Sequence, residues 1–449
     1  MLHLKAPSDG GALSATEIED NFADLHPPLS ATQAEVEAAR CLYCFDAPCI
    51  AACPTAIDIP RFIHQIRTGN LDGSARTILS ANIMGGTCAR ACPTEVLCEQ
   101  SCVVNKTEGG PVKIGQMQRR AVDHLLAKDA PHPFERAPKT GRRLAVVGAG
   151  PAGLSFAHRA AMLGHDVTVF EARPKPGGLN EYGLAAYKMV EDFAQAEVAF
   201  LLGVGGIDIK YNQRLGEAVN LDTLREAFDA VFLSVGLSDA SALDAPGSHL
   251  PGVRDALGFI EDLRQADDLA KLEVGADVVV IGGGNTAIDA AVQAKRLGAR
   301  SVTLAYRRGP EQMGATKWEQ DLAQVNGVIV RHWSSPVRFS GEDAVSSATF
   351  RRTRLDGGAL VELEDEFTVP ADQVLLAVGQ KLRHDPLAAL ERDGAKIRVS
   401  DTFETSASRV YAGGDCIRSG EDLTVQAVED GKRAAHAVDA ALKSNGAAH

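Results

Sequence analysis

Two stretches of the chain repeat one alternation of apolar and polar positions. Residues 143–171, RLAVVGAGPAGLSFAHRAAMLGHDVTVFE, open on a short apolar run and break at glycines. They continue with apolar residues three and four apart and close on a second apolar run. Residues 277–306, DVVVIGGGNTAIDAAVQAKRLGARSVTLAY, do the same. A short apolar run bounded by glycine predicts a buried strand, and the wider spacing predicts a helix packed upon it. Each stretch therefore predicts a strand–helix–strand unit with parallel strands. Two such units predict two nucleotide-binding domains.

Elsewhere the pattern changes. Residues 31–40 and 60–80 carry apolar positions at helical spacing, with little strand-type alternation before 140. The stretch 129–141, DAPHPFERAPKTG, is rich in proline and charge and predicts a linker. Downstream, 373–378 (QVLLAV) and 408–412 (SRVYA) predict strands, and about 425–442 predicts a helix. One strand–helix–strand unit is too small to cover its own sheet, so the C-terminal part is expected to rejoin the first nucleotide domain. The expected layout is an α-helical domain over 1–140 followed by an α/β region. There, a first Rossmann-like domain in two parts, 141–245 and 376–449, receives a second, 246–375, as an insertion.

Composition narrows the function. The chain has 449 residues, 45% hydrophobic and 23% charged, with a net charge of −13. That acidity argues against nucleic acid and anionic membrane as partners. No run approaches the ~20 apolar residues of a membrane helix, and the N-terminus lacks the basic and apolar regions of a secretory signal. The expected compartment is the cytoplasm. Nine cysteines are present, eight of them between Cys41 and Cys102. In a long chain without an export signal, clustered thiols predict metal ligands rather than disulfides. Cys416 stands alone and reads as a small buried residue.

The first glycine loop places Gly148, Gly150 and Gly153 directly after a strand, with Ala152 inside the motif. The three glycines serve the turn, the approach of a pyrophosphate and the packing of helix on strand. The helix start offers free N–H groups to phosphate. Glu171 closes the second strand, where an acid can hold a ribose hydroxyl. The second loop runs through Gly282, Gly284, Asn285, Thr286 and Ala287, and its second strand ends in Tyr306-Arg307-Arg308 instead of an acid. By the general rule, arginine there accommodates a 2′-phosphate and favours NADPH; arginines that simply solvate the surface are the alternative. Two loops suit a flavin and a nicotinamide, whose rings must meet for hydride transfer. Gly414-Asp415 lies between an apolar strand and a helix, where the aspartate can bond a ribityl chain and the helix start can face pyrophosphate.

The cysteines read Cys41-x2-Cys44-x4-Cys49-x3-Cys53-Pro and Cys88-x3-Cys92-Pro-x4-Cys98-x3-Cys102. Zinc sites commonly use two close pairs with a longer spacer. Two dense sets, each with Cys-Pro, instead suit two iron–sulfur clusters with exchanged ligands. Zinc and disulfides stay open as alternatives. Eight thiols would fill two four-cysteine sites.

Together these motifs resemble the glutamate synthase small-subunit family across essentially the whole chain. The resemblance rests on the cysteine domain, GAGPAGL, EARPKPGGL, GGGNTA, YRR, AGGDC and LTVQAVEDGKRAA. Within that family the chain resembles dihydropyrimidine dehydrogenase, either the N-terminal half of the long single-chain enzyme or the separate flavin subunit of the two-chain bacterial enzyme, and the latter is the expected identity. The resemblance implies one [4Fe–4S] cluster on Cys41, Cys44, Cys49 and Cys102. A second would sit on Cys53, Cys92, Cys98 and Gln118, leaving Cys88 spare; Cys88 as the eighth ligand is the alternative. It implies FAD contacts at Glu171, Gly178, Leu179 and Lys188, the last standing where the long single-chain enzyme has arginine. It implies NADH, because Gly314 replaces a further arginine of the NADPH-using enzyme. The implied partner is an FMN- and iron–sulfur-containing subunit that reduces uracil or thymine, in a hetero-oligomer. No protein nucleophile is expected. A glutamate synthase small subunit or related transhydrogenase subunit is the alternative enzyme; a redox-sensing scaffold with vestigial sites is the alternative class.

Overall fold

The computed structural model describes residues 13–128 and 130–446. The chain forms two compact units. The larger comprises His26–Glu181, Glu191–Asp239 and the described residues from Leu382 onward; the smaller comprises the described residues to Leu25, Tyr182–Val190 and Ala240–Lys381.

In the larger unit the helical segment contains Ala31–Ala39, Ile59–Arg67, Leu71–Ala81, Gly85–Ala91 and Ile114–Leu126. The apolar pattern over 60–80 thus makes two helices. Gly69 takes φ +76°, and the Asn70 side chain accepts from Gly73 N to start the next helix. The sheet is parallel, in the order Val410–Ala412, Ala230–Leu233, Arg143–Val147, Asp166–Phe170, Ile207–Lys210. Its first edge strand comes from the far end of the chain, and the helix Thr424–Gly446 packs on Pro151–Met162. The helical segment shares its core with this sheet: Phe62, Ile78, Met84 and Met117 belong to one continuous cluster with Val146, Phe156 and Phe232. The compact unit therefore runs through residue 140. Residues 130–141 carry no regular structure, yet they are anchored. Arg136 donates to His165 O and Asp166, and Thr140 N donates to Gly164 O.

The smaller unit repeats the strand pattern: Val253–Asp255, Gln373–Leu376, Asp277–Ile281, Ser301–Ala305, Ile329–Arg331, all parallel. An antiparallel sheet of Ser334–Ser340, Ser347–Asp356 and Ala359–Pro370 adjoins it in sequence. This second sheet has no counterpart in the expected layout. Its last strand is mostly exposed and rich in charge, with Arg351 bridging Glu362 and Glu366, while Ala348 and Phe350 of the middle strand are buried and a bulge between Arg351 and Thr353 interrupts the alternation. The helix Ala15–Asn21 belongs here too, through Asn21 Nδ2 to Arg296 O and Arg296 Nη1 to Asn21 O. Among the described residues no helix is long and apolar enough to cross a membrane.

Candidate functional site: thiol clusters and glycine loops

All nine cysteines are free thiols. Cys41, Cys44, Cys49 and Cys102 line one pocket whose other walls are largely apolar, among them Leu42, Ile59, Ile63 and Val112. The structure therefore groups Cys102, from the second sequence set, with three members of the first. Burial pushes the Cys49 thiol up to about 11, and the neighbouring Cys102 and Cys41 add to it; Cys41 is raised for the same reasons. Crowded thiols in an apolar wall resist ionisation unless a cationic centre reverses the balance. Among the described residues, no three cysteine, histidine or acidic side chains converge tightly enough for one metal ion. A four-iron cluster takes one thiolate per iron and so suits a wider arrangement.

The remaining clustered thiols, Cys53, Cys88, Cys92 and Cys98, neighbour one another. Cys92 is raised by its hydrogen bond with Cys88, by burial, and by Cys98 and Cys53; burial chiefly raises Cys98. Cys88, on the Gly85–Ala91 helix, is buried and also accepts from Asn82 Nδ2 at 3.2 Å. Gln118 lies on Ile114–Leu126, which packs across that helix, and is 7% exposed. Its Nε2 donates to Gly85 O at 2.7 Å. That bond fixes the amide's orientation and leaves the oxygen as its acceptor end. The donor set fits an iron–sulfur cluster.

The first glycine loop joins Arg143–Val147 to Pro151–Met162, with Gly150 as the helix N-cap. A Cβ on Gly153 would fall 2.0 Å from Gly148 O, so only glycine allows this helix to sit on its strand. Ala152 is buried in the first turn, against Gly414. Glu171 is buried; its oxygens accept from Ala149 N at 2.7 Å and Arg173 N at 2.8 Å. Burial raises it, while those amides pull it down. Each oxygen keeps a further lone pair for a hydroxyl. Gly178, at φ +55°, crosses the loop: a Cβ there would lie 2.8 Å from Gly150 Cα. Leu179 follows, exposed at the start of a short helix. Gly414 N donates to Asp430, and burial pushes Asp415 up to about 6, with Asp422 contributing. Gly150 and Gly178 thus approach backbone to backbone, with Gly414 against Ala152 at the helix start.

One residue here carries no sequence signal. Asn180 is 1% exposed, its oxygen accepts from Thr424 Oγ1 at 2.8 Å, and its amide nitrogen is buried without a partner. An orphaned donor beside Leu179 suits a polar ligand. Gly178→Ala is expected to strain the left-handed turn by about 1–2 kcal/mol and to release flavin. Flavin absorbance after gel filtration checks this, and full retention would remove Gly178 from the flavin site.

Lys188 is held by two carboxylates. It lies in Tyr182–Val190, which belongs to the smaller unit, and is buried there between Glu319 at 2.6 Å and Asp289 at 2.8 Å. Burial opposes its charge, but Asp289 and Glu319 outweigh burial and hold it above the ordinary lysine range.

The second loop follows Asp277–Ile281, with Gly284 as N-cap of Asn285–Arg296. Thr286 and buried Ala287 occupy its first turn. Asn285 Oδ1 is buried without a partner, an orphaned acceptor at the helix start. Arg307 is exposed and Arg308 half-buried. Their carbonyls accept from Thr353 Oγ1 and Trp333 N, and among the described residues neither guanidinium is in an ion pair. A Cβ on Gly314 would lie 3.9 Å from Gly284 Cα, so any side chain at 314 would flank this loop.

Comparison with known proteins follows this division. Residues 18–130 match the family model described as dihydropyrimidine dehydrogenase domain II, 4Fe-4S cluster. Residues 142–431 match that of the pyridine nucleotide-disulphide oxidoreductases. The NAD-dependent dihydropyrimidine dehydrogenase subunit PreT of Salmonella typhimurium is 35% identical over 425 residues, covering 94% of this chain and 97% of that one. The chain belongs to the PreT subunit family. The glutamate synthase [NADPH] small chain of Escherichia coli is a further relative, 32% identical over 443 residues and 93% of each chain. FprA of Mycobacterium tuberculosis shares the fold, at a TM-score of 0.58 and 21% identity over 69% of this chain and 85% of that one. The PreT-family chain is thus a pyridine-nucleotide-dependent oxidoreductase with an N-terminal 4Fe–4S domain and two Rossmann-like domains.

Proposed function

We propose that the chain is the electron-input subunit of a cytoplasmic dihydropyrimidine dehydrogenase. NADH is its donor, FAD and two [4Fe–4S] clusters are its carriers, and an FMN- and iron–sulfur-containing partner in a hetero-oligomer reduces uracil or thymine at the 5,6-bond. When bound, these cofactors supply two-electron chemistry at the flavin and one-electron carriage through the clusters. The chain's own work is to bind and orient. Gly148, Gly150, Gly178, Glu171, Gly414 and Asp415 would hold the flavin nucleotide. Gly282, Gly284, Asn285, Thr286 and Ala287 would hold the nicotinamide nucleotide, with Arg307 and Arg308 beside it. Gly314 leaves that loop without an additional cation, which supports NADH.

Two contacts support the order of carriers. Glu197, on Phe193–Leu202, accepts from Gly86 N and Thr87 N, and Lys432, on the last helix, donates to Thr55 O and Ala81 O. Both come from the flavin-side part of the unit, and both grip backbone near Cys53, Cys88 and Cys92. That favours the second thiol set as the entry. At the first set, Leu42, Phe45 and Val103 are exposed large apolar residues next to Cys41, Cys44 and Cys102, which suits exit towards a partner.

The observation that carries the reading toward pyrimidines is the buried Gln118 amide, its nitrogen tied to Gly85 O and its oxygen free to act as a weak, hard ligand. Mixed with a candidate FMN-bearing partner, the chain should support NADH-dependent uracil reduction, and neither component should do so alone. NADH should exceed NADPH in kcat/KM by at least about tenfold. Uracil reduction by this chain alone would sink the division of labour. Glutamate formation from 2-oxoglutarate and glutamine with a large glutamate synthase subunit would point to the other relative instead.

A further inference from the structure

The Gly85–Ala91 helix is short, and its first turn is held from three sides. Gln118 Nε2 binds Gly85 O at 2.7 Å, and Arg90 Nη1 binds Gly86 O at 3.1 Å. Glu197 takes the amides: its Oε1 accepts from Gly86 N at 2.7 Å and Thr87 N at 3.0 Å, and its Oε2 accepts from Thr87 Oγ1. Glu197 is fully buried. The same flavin-side helix brings Phe193 under the Arg90 guanidinium, 3.3 Å from the ring centroid, and Arg90 continues to Asp123 at 2.9 Å. Asp123 and Gln118 share one helix. A Cβ on Gly86 would meet Phe193 at 2.4 Å, so the approach is close. Cys92 is the C-cap of the gripped helix.

Burying a carboxylate is costly, and burial pushes Glu197 up to about 7 even though Thr87, Gly86 and Arg90 oppose it. A hydrophobic residue could fill the volume without that cost, yet it would leave two amides and a hydroxyl unpaired. We propose that Glu197 is a positioning residue for the second cluster: by fixing the first turn of Gly85–Ala91 from the flavin-side helix, it sets the register of Cys92 and the orientation of the Gln118 amide. This rests on the two-cluster reading above. It makes ligand geometry at the second thiol set depend on a side chain outside the cysteine segment.

The test uses the full chain with its cofactors, as wild type, Glu197→Ala and Glu197→Gln. Iron and flavin per chain are measured, with the electron paramagnetic resonance spectrum and midpoint potentials of the reduced protein. The wild type should carry about eight irons. Glu197→Ala should fall towards about four, keep its flavin, and lose one cluster's resonance. Glu197→Gln retains an acceptor for the amides and should recover the iron, with a displaced potential for that cluster alone. Eight irons and unchanged spectra and potentials in both variants would overturn the proposal while leaving the two-cluster reading intact. Equal loss of flavin and of both clusters in Glu197→Gln would also overturn it, since the role would then be general to the fold. About four irons in the wild type would overturn the two-cluster reading, and this proposal with it.

Discussion

Cys102→Ser is expected to abolish electron delivery to a partner while leaving reduction of a small dye by NADH within about twofold of wild type. Cys102 shares an apolar pocket with Cys41, Cys44 and Cys49. A serine hydroxyl is a hard donor that stays protonated in such a wall. Outer-shell partners of metal ligands are already worth about 10–100-fold, so a lost ligand should lower partner-dependent turnover by at least about 100-fold. The residues proposed to hold the flavin, Gly150, Glu171 and Gly178 among them, are distinct from these thiols, and a small dye that draws electrons from the flavin should be unaffected. Cys53→Ser supplies the contrast. A reading by sequence order would place Cys53 with Cys41, Cys44 and Cys49, whereas the structure sets Cys53 beside Cys92 and Cys98. Electron paramagnetic resonance should therefore show different clusters lost in the two variants. Loss of the same resonance from both would refute the exchange of ligands between the two sequence sets.

Lys188→Ala is expected to destabilise the smaller unit by about 3–5 kcal/mol, the usual result of stripping one partner from a buried ion pair. The substitution leaves the Asp289 and Glu319 carboxylates facing each other without their cation. Asp289 keeps the Tyr187 hydroxyl, at 3.0 Å, and the Arg296 charge nearby. Because the lysine's affinity for its proton is raised in the folded state, its contribution is fully present below the ordinary lysine range and is lost only as pH rises through the folded value. Both tryptophans, Trp318 and Trp333, fall in this unit, so their fluorescence during urea unfolding reports on it selectively. Combining Lys188→Met with Asp289→Asn and Glu319→Gln removes all three charges and should recover much of the loss. A wild-type midpoint for Lys188→Ala would show that the triad contributes nothing.

The parts of the site readable from sequence are those whose constraint is local. Gly153 must be glycine because its neighbours in the motif crowd it, and the motif carries that fact. Gly414-Asp415 and the Asn285 helix start are legible for the same reason. The assignment of thiols is a three-dimensional matter: spacing alone allows Cys53 or Cys102 as the fourth member of the first set, and only the family resemblance separated them. Lys188 is carried to the flavin only by position in a motif, and its burial between Asp289 and Glu319 has no signal in the sequence. Asn180 and Glu197 left no trace in the pattern. Each is an ordinary polar residue on an apolar stretch, and its importance comes from partners at Thr424 and at Gly86–Thr87, far away in sequence. The charged antiparallel strands escaped because the exposed, acidic last strand carries little period-two signal and a bulge between Arg351 and Thr353 shifts that of its neighbour.

The larger unit's sheet takes its edge strand, Val410–Ala412, from beyond the segment Ala240–Lys381, which belongs to the other unit. On the ribosome this strand emerges last, after every cysteine ligand has long been made. Gly414 and Asp415, proposed above to hold the flavin nucleotide, arrive with it. Flavin capture is therefore a late step in the life of a newly made chain. Through the interval before it, eight thiols ride on an unfinished core, and their survival depends on the reducing capacity of their surroundings.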